Sequence, residues 1–252
     1  RCRGCYTCVR ECPAKAIRIT EGQADVVFSR CIGCGNCVQV CGQHAKQVYD
    51  TTALVDALLA GKDQVAAIIA PSFPAAFIDW PYQKVVGLFR KMGFDYVMEV
   101  AFGADLVSDR YRRLFEKDTN GHYIATSCPA IVSYVERYYP ALVDALAPIV
   151  SPMTATAHVV HHKLGPDIKV VFVGPCIAKK EETFSAVPED VDVAISFEEA
   201  QRMMQARQIE EASLQPSEFD PPHGGLGALF PISRGLIQSA RLTDDLIADD
   251  IL

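Results

Sequence analysis

RCRGCYTCVRECPAKAIRITEGQADVVFSRCIGCGNCVQVCGQHAKQVYD, residues 1–50, is the stretch that decides the fold of this chain of 252 residues. Eight of the ten cysteines lie in it, in two runs of identical spacing. The runs are Cys2-x2-Cys5-x2-Cys8-x3-Cys12-Pro13 and Cys31-x2-Cys34-x2-Cys37-x3-Cys41-Gly42. A spacing repeated in this way indicates one kind of site built twice.

The spacing is that of bacterial two-cluster ferredoxins. Three cysteines two residues apart in a tight turn direct their sulfurs at three irons of one cubane, and the fourth cysteine binds the other cluster. We therefore predict two [4Fe–4S] clusters. The first set of ligands is Cys2, Cys5, Cys8 and Cys41, and the second is Cys31, Cys34, Cys37 and Cys12.

The alternatives for these cysteines are disulfide bonds and zinc. Disulfides suit secreted chains, and the sequence shows no signal peptide. Zinc sites use Cys-x2-Cys pairs but do not need three cysteines and a fourth three residues on, twice over. Thiolates that hold iron place the chain in a reducing compartment, so we expect it to be cytoplasmic.

Composition and charge limit the partners. Residues 1–50 carry a net charge of +3, and the rest carries −10. A basic cluster module favours docking of an acidic redox partner, ferredoxin-like or another electron carrier, whereas the acidic bulk argues against nucleic acid. No apolar run approaches the length of a transmembrane helix, so we expect no membrane association.

Beyond residue 50, apolar runs that resemble buried strands alternate with segments of helical periodicity. This alternation predicts an α+β two-cluster ferredoxin module at residues 1–50, a linker helix within 51–64, and an α/β domain with a mostly parallel sheet from 65 to 252. Strands are predicted at 65–70, 96–101, 122–126, 168–173 and 191–195, and helices at 51–62, 82–92, 105–117, 130–138, 151–164 and 196–207.

The two remaining cysteines, Cys128 and Cys176, each follow a predicted strand. Open α/β sheets build their sites at the carboxyl ends of parallel strands, so the pair is a candidate metal or cluster site. The alternative is a pair of small buried side chains, or one buried cysteine and one reactive thiol.

The residues around these cysteines resemble [FeFe]-hydrogenases. Thr126-Ser-Cys-Pro-Ala130 is similar to the family's first cluster-binding motif, and Gly174-Pro-Cys-Ile-Ala-Lys-Lys-Glu-Glu182 is similar to the second. Phe102-Gly-Ala-Asp-Leu106 and Ala70-Pro71-Ser72 resemble further motifs. The resemblance implies that Cys128 and Cys176 hold the cubane of the hydrogen-activating cluster and that Lys179 contacts its di-iron part.

The chain departs from this family in three places. The first motif has a single cysteine, and the hydroxyl of Ser127 has a pKa too high for an effective proton shuttle near neutral pH. Ser108-Asp-Arg-Tyr111 replaces the family's acidic pair, and no third motif precedes Leu252. With eight cysteines assigned, two remain, so a third cubane needs ligands from outside this segment.

Two other patterns carry no predicted site. His158, His161 and His162 have helical spacing but no zinc-protease motif, and we interpret them as a helix face. Gly224-Gly-Leu-Gly227 follows no strand and is interpreted as a loop rather than a phosphate-binding turn.

Three hypotheses follow. In the first, the protein is a redox relay or sensor of the hydrogenase family. In the second, it is a fragment of an active hydrogenase whose third motif lies beyond Leu252. In the third, it is a ferredoxin with a structural α/β scaffold. The chain starts at Arg1 without Met, and we expect it to belong to a longer protein with further domains. This chain alone is not expected to be an active hydrogenase.

Overall fold

The computed structural model describes residues 1–184 and 190–242. It contains a small N-terminal module of two short helices and a hairpin, followed by an α/β domain with a parallel sheet. The end of the predicted α/β domain, residues 243–252, lies outside the described residues.

The N-terminal module is built from two similar halves. Helix α1 (Thr7–Glu11) follows the first cysteine loop, and α2 (Asn36–Gln39) follows the second. The residue that precedes each helix, Tyr6 or Gly35, has a left-handed backbone. Between the halves runs an antiparallel hairpin, β1 (Ile17–Thr20) and β2 (Gln23–Val26). The repeated spacing therefore produces a repeated backbone.

The sheet of the α/β domain has four strands in the order β4-β3-β5-β6, all parallel. They are β3 (Val65–Ile69), β4 (Tyr96–Glu99), β5 (Lys169–Gly174) and β6 (Val193–Ser196). All five residues of β3 are buried, as expected for a strand covered on both faces. Four of the five predicted strands are therefore present, with shifts of one or two residues at their ends.

Seven helices surround the sheet or join it to the N-terminal module within the described part of the domain. They are α3 (Thr52–Leu59), α4 (Tyr82–Met92), α5 (Val100–Lys117), α6 (Pro129–Tyr138), α7 (Pro152–Leu164), α8 (Ala178–Glu182) and α9 (Phe197–Ala206). A short α10 (Gly235–Ser239) follows, and 3-10 turns lie at Phe73–Ala75, Pro140–Ala145, Glu211–Ser213 and Leu226–Leu229. Helix α3 packs against β6 and α9, and its Val55 is fully buried in the core of the domain.

Helix ends follow local sequence rules. Ser151 caps α7 by accepting a hydrogen bond from Thr154 N, with Pro152 in the first helical position and Gly165 just beyond the end. At α9, Ser196 and Glu199 form the predicted capping box. Helix α5 begins at Val100, earlier than predicted, directly after β4. A Cβ on Gly103 would lie 2.1 Å from Thr156 Oγ1, so this glycine allows α5 to approach α7 closely.

The predicted strand at 122–126 is wrong. Ile124 forms only an isolated bridge with Leu146, and the segment does not join the sheet. Its backbone groups are satisfied elsewhere, because Thr126 N donates to the hydroxyl of Tyr111 (2.9 Å) and Ala147 N donates to Ile124 O (2.9 Å). Hydrogen bonds to residues distant in sequence thus take the place of the sheet hydrogen bonds that the local pattern predicts for this segment.

The described residues include no helix that is both long enough and apolar enough to cross a bilayer.

Candidate cluster sites and the domain that receives them

The first predicted set of cysteines converges on one pocket. Cys2, Cys5, Cys8 and Cys41 all line it, together with apolar side chains of the hairpin. Burial raises the pKa of Cys8, and the charges of the other three thiols raise it further. Cys5 is exposed and its pKa is lowered, chiefly by the side-chain hydrogen bond with Thr7. Four thiols from both runs therefore meet at one place.

The second set is arranged in the same way. Burial raises the pKa of Cys37, and the thiols of Cys31, Cys34 and Cys12 add to the effect. Cys12, from the first run, is buried in the module's apolar core beside Cys8. Each run thus contributes three cysteines to one set and the fourth to the other.

Backbone amides donate to sulfur at matched positions of the two halves. These hydrogen bonds are Gly4 N to Cys2 Sγ and Gly33 N to Cys31 Sγ (both 3.4 Å), and Ala16 N to Cys12 Sγ and Ala45 N to Cys41 Sγ (both 3.3 Å). The two glycines have φ of +68° and +67°, which a residue with a Cβ rarely adopts. Hydrogen bonds to sulfur stabilise thiolate and help to set the reduction potential of a bound cluster. The donor sets and their cradles therefore fit two four-thiolate clusters.

Lys46 lies between the two sets. Its charge opposes the rise that burial causes in the pKa of both Cys8 and Cys37, one member of each set. Its Nζ donates to Ala24 O at 2.5 Å. A fixed cation at this position offsets part of the repulsion among thiolates. Among the described residues, no three His, Cys, Asp or Glu side chains are grouped closely enough to bind a single metal ion.

Cys176 lies at the carboxyl edge of the sheet, as predicted. It follows β5, and β5 and β3 are the two central strands from which the chain winds in opposite directions. This is the topological switch point, where open α/β sheets build their sites. Cys128 is at the N-cap of α6 and exposed. The prediction that it also ends a sheet strand is wrong, since the segment before it is not part of the sheet.

The two motifs nevertheless meet. Helices α6 and α8, which follow Cys128 and Cys176, contact each other. Ala130 and Ala178 are buried in the same apolar cluster as Cys8 and Cys12, and Cys176 packs against that cluster. The structure therefore brings both motif segments against the N-terminal module.

A cavity of about 460 Å³ lies at this junction. It is lined by Ile32 of the module and by α6, the start of α7 and α8, with Thr126, Ser151 and Glu182 among its polar residues. Lys179 is buried, and its Nζ donates to Glu182 Oε2 at 2.6 Å. Glu182 Oε1 in turn accepts from Ser151 Oγ at 2.6 Å. This network connects α8 to the N-terminus of α7.

The junction does not provide the ligands of a third cubane by itself. Two thiols, Cys128 and Cys176, remain after the two sets of four, and a cubane of the usual type takes four. Ser127 Oγ is buried without a hydrogen-bond partner among the described residues. A hydroxyl at this position neither binds iron like a thiolate nor titrates near neutral pH.

Sequence reasoning missed the residues that join the module to the large domain. Arg137 Nη1 donates to Phe28 O (2.9 Å) and to the carbonyl of Cys31. The hydroxyl of Tyr138 lies 2.7 Å from Ala14 O and 2.8 Å from Arg30 O. Both side chains belong to the segment after the first motif, but nothing in the sequence pattern indicates their partners.

The second cysteine loop packs directly against the second motif. A Cβ on Gly33 would lie 2.1 Å from Glu181 Oε2, and one on Gly35 would lie 2.6 Å from Ile177 Cδ1. Lys180 anchors the chain where it leaves the module, since its Nζ donates to Tyr49 O at 2.7 Å. The second cysteine loop is therefore one of the surfaces through which the module contacts the large domain.

The two sequence patterns without a predicted site have structural roles. The amides of Gly225 and Gly227 donate to the carboxylate of Asp105 at 2.6 and 2.5 Å, so an internal acid occupies this loop. His158 Nε2 lies 2.8 Å from Asp190 Oδ2, and His161 Nε2 lies 3.0 Å from Asp190 O.

Family models match both parts of the chain. "Iron only hydrogenase large subunit, C-terminal domain" matches residues 63–250, and "4Fe-4S dicluster domain" matches residues 1–46. Iron hydrogenase 1 of Clostridium pasteurianum is 32% identical over 176 residues, which are 62% of this chain and 31% of that protein. The periplasmic [Fe] hydrogenase large subunit of Nitratidesulfovibrio vulgaris is 28% identical over an alignment 273 positions long, which covers 95% of this chain and 65% of that protein.

Other similarities are more distant. Cytosolic Fe-S cluster assembly factors also match, and NAR1 of Yarrowia lipolytica is 29% identical over 102 residues, 38% of this chain and 21% of that protein. Among solved structures, the apo form of a variant of [FeFe]-hydrogenase HydA1 from Chlamydomonas reinhardtii superposes with a TM-score of 0.61 at 21% identity. The superposition covers 76% of this chain and 58% of that one, and it concerns the fold alone. The chain spans about a third of the length of Iron hydrogenase 1.

Proposed function

Because the chain belongs to the iron-only hydrogenase large-subunit family and carries a 4Fe-4S dicluster domain, we propose that it transfers electrons through two [4Fe–4S] clusters. The observation that carries this proposal is the grouping of eight thiols into two interleaved sets of four. The proposed ligands are Cys2, Cys5, Cys8 and Cys41 for one cluster, and Cys31, Cys34, Cys37 and Cys12 for the other. When bound, the cubanes supply one-electron redox chemistry.

The packing of the module on the large domain supports a direction for the proposed electron path. Cys5, in the first loop, is exposed beside the half-exposed ring of Tyr6; Cys34 of the second loop is exposed as well, so the direction rests on which loop packs against the large domain. The second loop contacts α8 and the residue just before it, because Gly33 lies against Glu181 and Gly35 lies against Ile177, which follows Cys176 in the chain. We propose that a redox partner protein, ferredoxin-like or another small carrier in a reducing cytoplasm, docks at the outer face, where the module's basic charge favours an acidic partner. Electrons then pass inward to the large domain.

For the large domain, we propose a relay or sensory role in preference to hydrogen turnover by this chain alone. Cys128 and Cys176 are two thiols short of a third cubane. Ser127 provides no thiol to move protons at the junction, and the neighbouring carboxylate of Glu182 is already bonded to Ser151 and Lys179. The surroundings therefore support electron entry more than catalysis.

The second candidate is a fragment of an active hydrogenase whose third cluster-binding motif lies beyond Leu252. The observation that favours it is the position of Cys176 at the switch point of the sheet, with Lys179 buried next to it. In that case Cys128 and Cys176 would hold a cubane completed by ligands from outside this segment.

Iron and acid-labile sulfide analysis of the anaerobically reconstituted chain tests the proposal. We expect about eight irons per chain. The double variant Cys128→Ser and Cys176→Ser should keep all of them, whereas Cys34→Ser, the matched control, should lose iron. A content near twelve, or loss of iron from the double variant, would contradict the proposal and favour the second candidate. Hydrogen uptake by this chain alone would also contradict it.

A further inference from the structure

The guanidinium of Arg137 lies at the joint between the second cysteine loop and the large domain. Its Nη1 donates to Phe28 O and to the carbonyl of Cys31. Cys31 is a proposed ligand of the second cluster, so this inference rests on the proposed function. We propose that Arg137 is a positioning residue that raises the reduction potential of the cluster held by Cys31, Cys34, Cys37 and Cys12, and of that cluster only.

The physical basis is the charge that reduction adds. Accepting one electron makes a cluster more negative by one charge, and a nearby fixed cation stabilises the reduced form more than the oxidised form. Net charge is among the variables that tune cluster potentials, together with cluster type, hydrogen bonds to the sulfurs and solvent exposure. The guanidinium of an arginine supplies a fixed positive charge. It is also only about one-third exposed, which limits screening by solvent.

Other charges near the joint have distinct effects. Glu181 Oε1 lies 3.6 Å from Arg137 Nη2 and partly offsets its charge, but the side chain of Glu181 is about half exposed and therefore better screened. Lys46 acts on thiols of both sets, so it does not distinguish the two clusters. The carbonyl of Cys5 in the first loop accepts a longer bond, 3.4 Å, from the exposed Arg10 of the module itself. Arg137 is thus a cation of the large domain whose described contacts are with the loop of one cluster.

This arrangement would favour inward electron flow. A higher potential at the inner cluster makes transfer from the outer cluster toward the large domain downhill. It also makes that gradient depend on docking, because Arg137 belongs to α6 and reaches the cysteine loop only while the two parts are in contact. The joint therefore couples assembly of the two parts to the direction of electron transfer.

A redox titration followed by EPR tests the proposal on the whole reconstituted chain. In Arg137→Met, one of the two midpoint potentials should become more negative, with a change on the order of tenfold in the ratio of reduced to oxidised cluster, or about 59 mV for one electron. The other midpoint should not move. Arg137→Lys, which keeps the charge, should shift the same midpoint less. Tyr138→Phe is the matched control, since it removes an uncharged hydrogen bond at the same joint and should leave both midpoints unchanged.

Glu181→Gln should shift the midpoint potential of the same cluster in the opposite direction to Arg137→Met. Removing this anion should move that midpoint to a more positive value. If Arg137→Met fails to retain iron, the Glu181→Gln variant still tests the proposal. The proposal is overturned if clusters form in Arg137→Met and neither midpoint moves, if both move equally, or if Tyr138→Phe has the same effect. Failure of the wild-type chain to bind about eight irons would instead overturn the proposed function.

Discussion

Replacing Glu199 by alanine should destabilise the protein strongly, because its buried carboxylate joins three parts of the chain. Its Oε1 accepts from Lys180 Nζ at 2.5 Å and from Thr51 N at 3.0 Å, and its Oε2 accepts from Ser196 N at 2.7 Å. Glu199 and Lys180 are only 3% and 6% exposed. The substitution therefore leaves an uncompensated ammonium group in the interior and removes the acceptors of two backbone amides.

The size of the expected loss in free energy of unfolding follows from these contacts. Breaking a buried ion pair by removing one partner costs about 3–5 kcal/mol. The exposed pair Arg202–Asp50 provides the control, because Arg202 lies on the same helix and the two side chains are 60% and 50% exposed. Arg202→Ala should cost no more than about 1 kcal/mol. Replacing both buried partners, as Lys180→Met with Glu199→Leu, should recover much of the loss, since the buried charge is then gone.

Urea unfolding of the reconstituted chains, followed by circular dichroism under anaerobic conditions, measures the loss in free energy of unfolding for each variant. With a slope of about 3 kcal/mol per molar urea, Glu199→Ala should lower the unfolding midpoint by about 1–2 M. The reasoning is refuted if Glu199→Ala and Arg202→Ala shift the midpoint equally, or if the double replacement is worse than the single one.

Three further predictions concern the joint, the first motif and pH. Gly35→Ala should weaken docking of the module, because its Cβ would lie 2.6 Å from Ile177 Cδ1 and 3.4 Å from Ile177 Cβ, whereas Gly22→Ala, with nothing within 4 Å, shares only the backbone strain at nearly the same φ (+74° against +75°). Limited proteolysis between the two parts should separate the variants, and equal cleavage would contradict the packing. Tyr111→Phe removes the acceptor of Thr126 N and should lower the free energy of unfolding by about 1–3 kcal/mol, and no change in thermal unfolding would count against this role. Burial acts to raise the pKa of Glu199, but the hydrogen bond from Lys180 and those from two backbone amides outweigh it and hold the pKa below its ordinary value of 4.5. Its contribution is therefore full above that value and is lost as pH falls through the lower folded pKa, so the difference in midpoint between wild type and Glu199→Gln should shrink in acid; a difference independent of pH would contradict the shift.

The local sequence was sufficient to predict the structure of segments that are determined by interactions between residues close together in the chain. The spacing of the cysteines places three thiols on each loop, and the helix caps at Ser151 and Ser196 follow from side chains within three residues. The strand β5 contains the apolar run Val170–Val173 and is followed by Pro175, and it appears within one residue of its predicted position. In these segments the local sequence preference and the tertiary environment favour the same secondary structure.

The rest depends on partners far away in the chain. Residues 122–126 have the pattern of a strand, but the amide of Thr126 is bonded to Tyr111, and no local rule predicts that pairing. Arg137 meets Phe28 across 109 positions of sequence. A sequence pattern indicates that such a side chain is polar and helical, but its partner is determined only when the module packs on the large domain.

The central claim is that eight N-terminal sulfurs hold two separate cubanes, and EPR spin counting on the fully reduced chain tests it most directly. Each reduced [4Fe–4S] cluster contributes one unpaired spin, so the integrated signal should correspond to about two spins per chain, with broadening from magnetic coupling between neighbouring clusters. The same signal should persist in the Cys128→Ser and Cys176→Ser double variant. An integral of one spin or none from chains that retain their metal, or loss of a spin in the double variant, would contradict the account.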